Sequence, residues 1–501
     1  MESSTILTEL LKDPRSSAPA IIDTSYEAVV TYKSLAEQVE SLASQLLGAG
    51  LKAGDVVAIV LPNGLEFLVV FLALTRARLV ASPVNPVDTT AEMQFFIGAG
   101  HVKAVIAKSD NAAAAEIAQA LALPIWVPQV ESSGIVKIPQ LASTARGSAD
   151  APNREDVALL MYTSGTTGRP KGVPLTHENV ARSASNIAAH YALRPEDRSV
   201  VVMPLFHGHG LIGAALSTLA SGGVLIVPPR FSASGFWPLF REHQATWYTA
   251  VPTIHQILLT RADSDGAPDH GARFIRSCSA ALAPAVLANL EKRFGAPVLE
   301  AYGMTEASHQ VASNPLPPRP RKRGTVGLGT SVEIGILDKN GTLLAPHAAG
   351  EVVLRGPTLM KGYRHNPEAT AAAFFGEWFR TGDVGVLDND GYLTMTGRIK
   401  DMINRGGEKI FPEEIEAVLL EHPAVAEAAA FPIPDPKYGE EVSAAVVLRG
   451  TADSTALKTF CRARLADFKV PKTIWITSVL PKKATGKIDR RKLQALFNAQ
   501  N

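Results

Sequence analysis

Short, wholly apolar runs alternate along this chain with segments whose apolar residues recur at helical spacing. Asp55 to Leu61 carries Val-Val-Ala-Ile-Val-Leu and stops at the turn signal Pro62-Asn63-Gly64. Tyr32 to Leu47 before it and Leu65 to Arg76 after it read as helices, with Leu79 to Asn85 and Val102 to Ala107 as further strands. A strand that is apolar on both faces must be covered on both, so strands separated by helices predict βαβ units and a mostly parallel sheet. The pattern resumes at Val200 to Met203, Val224 to Val227 and Trp247 to Ala250. The fold class is therefore α/β.

After residue 320 the texture changes. Val332 to Leu337, Gly350 to Leu354, Trp378 to Arg380 and Tyr392 to Thr396 are short strands separated by turns such as Asn389-Asp390-Gly391, a small β-rich subdomain. A further α/β segment has a helix at Pro412 to Glu421 and strands at Ala426 to Phe431 and Val442 to Leu448. The 501 residues suggest several domains, at roughly 100–200 residues each. The division expected is a large domain over 1–397, a hinge at 398–400 and a small domain over 401–501.

The uncharged stretch Leu211 to Pro229 is long enough to span a membrane. It contains Ser217, Thr218, Ser221, Gly222 and Gly223 and ends in two prolines, so it reads as a buried helix running into a buried strand. With 49 basic against 48 acidic side chains, no charge excess draws the chain to nucleic acid or anionic lipid. Two cysteines, Cys278 and Cys461, without CxxC pairing suit a reducing compartment. The first residues lack a secretory pattern and the last are not an SKL-type address, so a cytoplasmic location is expected. Monomer is the expected state, with a homodimer as the alternative.

The strongest local signal is Tyr162 to Gly172, Tyr-Thr-Ser-Gly-Thr-Thr-Gly-Arg-Pro-Lys-Gly, after the strand-like run Val157 to Met161. Glycines let backbone N–H groups approach a phosphate, hydroxyls donate to its oxygens, and Lys171 adds charge. The spacing is not GxxxxGK[ST], so this is not the P-loop of ATPases and kinases. Further motifs follow in order: AYGMTEAS at 301–308, TGD at 381–383, GRIKDMINRGGEKIFPEEIE at 397–416 and PKKATGKIDR at 481–490. Together they resemble the adenylate-forming superfamily of acyl-CoA ligases, adenylation domains and firefly luciferase.

The resemblance implies ATP, Mg²⁺ and coenzyme A as cofactors, and a role for each matched residue. Thr163, Ser164, Gly165, Thr166, Thr167 and Gly168, with Lys171, would hold the pyrophosphate end of ATP. Tyr302 would face adenine, with Gly303 and Met304 beside it. Thr305 would contact the α-phosphate, Glu306 and Thr166 would hold Mg²⁺, and Asp383 would accept hydrogen bonds from the ribose hydroxyls. Arg398 would reach the same region. Lys487 would stabilise the charge that builds up as a substrate carboxylate attacks the α-phosphorus. A rotation about Lys400 would then exchange Lys487 for the loop Arg405-Gly406-Gly407, which would help form a tunnel for the thiol acceptor.

Three polar features stand in the segments that line the acyl pocket of that family: Phe206-His207-Gly208-His209-Gly210, Ser277-Cys278-Ser279 and Ser308-His309. A fatty or aromatic acid needs apolar walls there, whereas a second carboxylate needs donors. His207 or His209, Ser277 or Ser279, and His309 are the expected grip, with Trp247 filling the remaining space. His207 is also a candidate catalytic group beside Thr305 and Lys487. The combination resembles the oxalate–CoA ligase branch. Malonate-activating relatives share the HxHG segment but tend to carry an arginine where this chain has Ala301. Alternatives are a malonyl-, medium-chain or aromatic acyl-CoA ligase and a stand-alone enzyme loading a carrier protein. Against the last, His207 stands where amino-acid-selecting members usually place an aspartate.

Overall fold

A computed structural model of the chain describes residues 5–11, 17–143, 147–148, 150–163, 170–267, 271–483 and 486–500. Among them, a six-stranded sheet runs in the spatial order Lys171–Thr176, Val157–Thr163, Val80–Pro83, Val56–Val60, Ala104–Ala107 and Ile125–Trp126. All its pairs are parallel except the first, a hairpin. A nine-stranded sheet lies across a shared core from it. Its parallel centre comprises Val298–Met304, Phe274–Cys278, Trp247–Ala250, Arg198–Val200, Val224–Val227 and Pro19–Asp23.

Alternate side chains divide between layers. Val57 and Ile59 enter the core shared with the nine-stranded sheet, while Val56, Ala58 and Val60 pack under the outer helices Thr90–Ala99 and Ala112–Ala120. On the far face of the larger sheet, Phe236–Glu242, Pro252–Thr260 and Pro284–Phe294 form a third helical layer. The helix Leu65–Arg76 is buried almost throughout because it lies between the two sheets, which explains its lack of a polar face. The result is a five-layered α/β domain.

The segment around Val200 departs from expectation. The strand is Arg198–Val200, and the chain leaves the sheet after Val201. The Asn63 side chain takes over the hydrogen bonding there, donating to the Met203 carbonyl at 3.1 Å and accepting from the Leu205 N–H at 2.8 Å. The uncharged stretch is helical from Gly208 to Ala220, with a widened π turn over Leu211–Leu216, and then forms the strand Val224–Val227. Among the described residues no helix is long and apolar enough to cross a membrane.

The small β-rich sheet contains Glu333–Leu337, Gly350–Arg355, Trp378–Leu387 and Leu393–Arg398. Trp378–Leu387 continues seven residues beyond the expected end at Arg380, bulging between Val384 and Gly385. The basic run Arg319 to Arg323 is pinned by ion pairs. Arg321 and Arg323 grip Glu291, and Lys322 grips Asp388 and Asp390. The last hundred residues form their own sheet, with Pro412–Glu421 and Ser454–Arg462 on one face and Arg490–Gln500 on the other. Cys461 is buried on the middle helix and Cys278 on its sheet strand.

Candidate active site

The predicted residues converge where the parallel strands of the large sheet end, the edge at which open α/β sheets bind ligands. Val298–Met304 runs into the single turn Thr305–Ala307, and Ser308 and His309 then take left-handed φ values of 52° and 85°. Tertiary contacts hold this unusual backbone. The Ser183 hydroxyl donates to the Ser308 carbonyl at 2.5 Å, and the Ser308 hydroxyl donates to the Thr358 carbonyl at 2.8 Å. The His309 ring consequently stacks on His209, with centroids 5.2 Å apart and planes 20° from parallel.

Both rings are buried and fully engaged on one side. His209 Nδ1 lies 3.1 Å from Ser279 Oγ and its Nε2 2.7 Å from Thr249 Oγ1, while His309 Nε2 lies 2.9 Å from Arg276 Nη2. Burial first, and the Arg276 charge second, hold both imidazoles well below the usual histidine range, so both are neutral. His207 is half-buried at the cleft, and burial followed by the Lys487 charge pushes it down to about 4. The HGHG histidines thus separate: His209 joins Ser279 and His309, and His207 faces Lys487. The buried Ser277 hydroxyl has no hydrogen-bond partner among the described residues. Trp247 lies deeper, stacked on Phe274, which stacks in turn on Tyr191.

A second cluster surrounds Tyr302. Its hydroxyl donates to Asp383 Oδ2 at 2.5 Å, and Arg398 bonds the same carboxylate from the opposite position of the neighbouring strand. Burial, then the Asp383 charge, raises the Tyr302 hydroxyl well above the tyrosine range, so it stays a donor. Glu306 is buried, and burial raises its carboxyl. It accepts a hydrogen bond from the Tyr363 hydroxyl at 3.0 Å and has no cation within ion-pair distance among the described residues. An under-neutralised oxygen donor of this kind fits a hard divalent cation. The Lys171 ammonium lies 4.6 Å above the Tyr363 ring, which links the phosphate-loop lysine to Glu306.

The small domain supplies Lys487. A turn closed by the Lys483 N–H donating to the Lys487 carbonyl at 2.8 Å presents it. This turn docks so closely on the large domain that a Cβ at Gly486, whose φ is +78°, would lie 3.1 Å from Val251 and 3.4 Å from Thr253. Lys487 keeps access to solvent through the cleft, yet protein surrounds it. That crowding, ahead of the positive charge of Arg398, lowers its ammonium below the usual lysine range. The loop Arg405-Gly406-Gly407 is a tight hairpin turned toward its own domain, with Arg405 paired to Glu441 and lying 4.0 Å over the Tyr438 ring. Lys400 follows Arg398 in a turn closed by the Asp401 N–H donating to the Arg398 carbonyl at 3.1 Å.

Tyr302, Asp383 and Arg398 thus form one cluster, Lys171, Tyr363 and Glu306 a second, and His209, Ser279 and His309 a third, with Gly303, Met304 and Thr305 on the backbone between Tyr302 and Glu306 and Thr163 at the end of its strand. Ser164, Gly165, Thr166, Thr167 and Gly168 lie outside the described residues. Sequence reasoning missed Arg276, Thr249, Gln310 and Tyr363. A lone arginine inside the apolar run Phe274–Cys278 was the available signal for the first; the others carry none.

Comparisons with known proteins identify the family. A family model described as "AMP-binding enzyme" matches residues 12–364, and one described as "AMP-binding enzyme C-terminal domain" matches residues 414–487. The chain is 48% identical over 474 residues to an oxalate–CoA ligase of Arabidopsis thaliana, covering 92% of each. It is 41% identical to an oxalate–CoA ligase of Saccharomyces cerevisiae, covering 95% of this chain and 94% of that one. Among solved structures, ATP-bound MatB from Rhodopseudomonas palustris matches with a TM-score of 0.90 at 30% identity, over 98% of this chain and 99% of that one. The apo form of the same protein gives a TM-score of 0.80. On sequence, fold and site together, the chain belongs to the AMP-binding enzyme family.

Proposed function

We propose that this chain is an AMP-forming carboxylate–CoA ligase whose substrate is oxalate. Its cofactors are ATP, Mg²⁺ and coenzyme A. One carboxylate oxygen attacks the α-phosphorus of ATP and pyrophosphate leaves, giving an acyl-adenylate. The thiolate of coenzyme A then attacks the acyl carbon, the acyl–phosphate bond breaks, and AMP leaves.

The observation that carries the substrate reading is the polar cluster in which His209 meets Ser279 and stacks on His309. Two neutral imidazoles with a hydroxyl suit a second carboxylate better than an alkyl chain. Similarity to two oxalate–CoA ligases supports the same choice.

In the first step, Lys487 stabilises the charge shared between attacking and leaving oxygens, and His207 shapes the path of the carboxylate beside it. Thr305 contacts the α-phosphate, and the loop from Thr163 to Gly168 with Lys171 holds the leaving pyrophosphate. Tyr302, Gly303 and Met304 cradle the adenosine, while Asp383 and Arg398 bind its ribose. Glu306 and Thr166 hold Mg²⁺, which neutralises phosphate charge when bound. For the second step, the domain of residues 401–501 turns about 398–400 at Lys400 and brings Arg405, Gly406 and Gly407 to the cleft of the domain 1–397. The state proposed is a monomer. The two free buried thiols fit action in the reducing cytoplasm.

CoA-dependent AMP release with oxalate, malonate, succinate, hexanoate and 4-coumarate tests the reading. Oxalate should be turned over best, and His309→Ala should lose that preference. A better rate with hexanoate or coumarate refutes the substrate and leaves the ligase chemistry. AMP release that needs a carrier protein instead of coenzyme A refutes the acceptor.

A further inference from the structure

Arg276 is fully buried in the central strand Phe274–Cys278, opposite Thr249 in register. No carboxylate lies within ion-pair distance of it among the described residues. Its partners are hydroxyl, amide and imidazole groups, with the Cys278 thiol beside it. Nε donates to the Tyr191 hydroxyl at 2.9 Å, Nη1 to Thr249 Oγ1 at 2.9 Å, and Nη2 to Gln310 Oε1 at 2.8 Å and His309 Nε2 at 2.9 Å. A buried cation without a counter-charge is costly, and a pocket that keeps one is arranged for an anion.

We propose that Arg276 is the positioning residue that makes this pocket select a second carboxylate, because it sets the direction of two hydrogen-bond relays that both end in donors. The proposal rests on the dicarboxylate reading above and adds the residue that enforces it. A guanidinium can only donate. His309 Nε2 must therefore accept, which places the ring proton on Nδ1, the nitrogen that no protein group engages among the described residues. That N–H is the first donor.

The second relay is longer. Thr249 Oγ1 accepts from Arg276, and among the described residues the acceptor beside its own proton is His209 Nε2 at 2.7 Å. His209 consequently carries its proton on Nδ1 and donates to Ser279 Oγ at 3.1 Å. The Ser279 hydroxyl proton is left for a ligand, as the second donor. With both rings neutral and both relays polarised by one buried cation, the pocket offers hydrogen bonds and positive potential to an anion, and nothing to a methyl group.

Oxamate tests this, since it matches oxalate in shape and replaces one carboxylate with a neutral amide. The native enzyme should prefer oxalate, and Arg276→Gln should lower kcat/KM for oxalate roughly 10- to 100-fold more than for oxamate, the size of one buried charge-assisted hydrogen bond. The loss should appear in the oxalate KM rather than in the ATP KM. Equal losses for both acids would mean that Arg276 only supports the fold, and would overturn the proposal. A native enzyme that prefers a monocarboxylate would instead overturn the substrate reading beneath it. Should Arg276→Gln not fold, Thr249→Val decides by the same ratio, because it cuts only the His209 relay; an unchanged ratio counts against the proposal. Nitrogen-15 spectra of His309 should show the Nδ1–H tautomer, and an Nε2–H ring would refute the first relay outright.

Discussion

Replacing Gly213 with alanine should lower both the oxalate activity of this enzyme and its stability. Gly213 sits in the widened π turn Leu211–Leu216, directly behind the Arg276–His309 contact. An added Cβ would lie 2.5 Å from His309 Nε2, 2.7 Å from its Cδ2 and 3.4 Å from Arg276 Nη1. Non-bonded heavy atoms settle at about 3.5–4.0 Å, so the ring must retreat by about 1 Å. A 2.9 Å hydrogen bond stretched by that amount no longer counts as one. Losing a bond to a charged donor costs about 1.5–3 kcal/mol, or roughly 10- to 100-fold in kcat/KM for oxalate. Three stability terms compete: alanine gains about 1 kcal/mol in a helix over glycine, overpacking costs about 1–3 kcal/mol, and the broken buried hydrogen bond costs about 1–3 kcal/mol. The variant should therefore lose a few kcal/mol and melt at a lower temperature, with an unchanged ATP KM while it is folded. AMP release at varied oxalate, with a thermal melt alongside, measures both. Full oxalate kcat/KM in Gly213→Ala would show that the histidine and arginine do not need this geometry.

Three further outcomes are expected. Lys487→Ala should cut ATP–pyrophosphate exchange by roughly 100- to 1,000-fold, as loss of a preorganised transition-state contact does, while pre-formed acyl-adenylate should still yield thioester; equal losses in both steps would contradict its role. Because the role proposed for Lys487 needs an ammonium and its pKa is lowered, exchange should fall as pH rises, beginning below the ~10.4 of a free lysine; Lys487→Arg should remove that limb, and a native profile flat to higher pH would refute the assignment. Asp383→Asn removes the charge that Tyr302 and Arg398 share, and should raise the ATP KM about tenfold, as loss of a charged hydrogen bond does; isothermal titration with ATP checks it, and native affinity would argue against a ribose contact.

Much of the scaffold was legible before any coordinates. Leu65–Arg76, Val224–Val227, Trp247–Ala250 and Pro412–Glu421 begin and end where periodicity and turn residues place them. The covered sheets follow from strands apolar on both faces. The strand near Val200 was misplaced because Asn63, far away in sequence, captures its backbone groups. Trp378–Leu387 was read too short because Gly382 and Gly385 look like a stop, whereas a bulge carries the pairing through them.

The site divides in the same way. Tyr302, Glu306, Asp383, Arg398 and Lys487 stand in motifs that resemble those of the adenylate-forming superfamily, and that resemblance is what pointed to them. Which histidine of the HGHG pair joins Ser279, and whether a strand arginine points to water or into the core, depended on the tertiary structure. Arg276 draws its partners from Tyr191 at the end of the helix His177–His190, Thr249 on the strand Trp247–Ala250, and His309 and Gln310 on the strand His309–Ser313. No local pattern encodes their meeting. Strand and helix propensity act between near neighbours and can be read along the chain. The protonation and direction of a buried hydrogen-bond network are set by which groups exclude water together, and only the packed fold decides that.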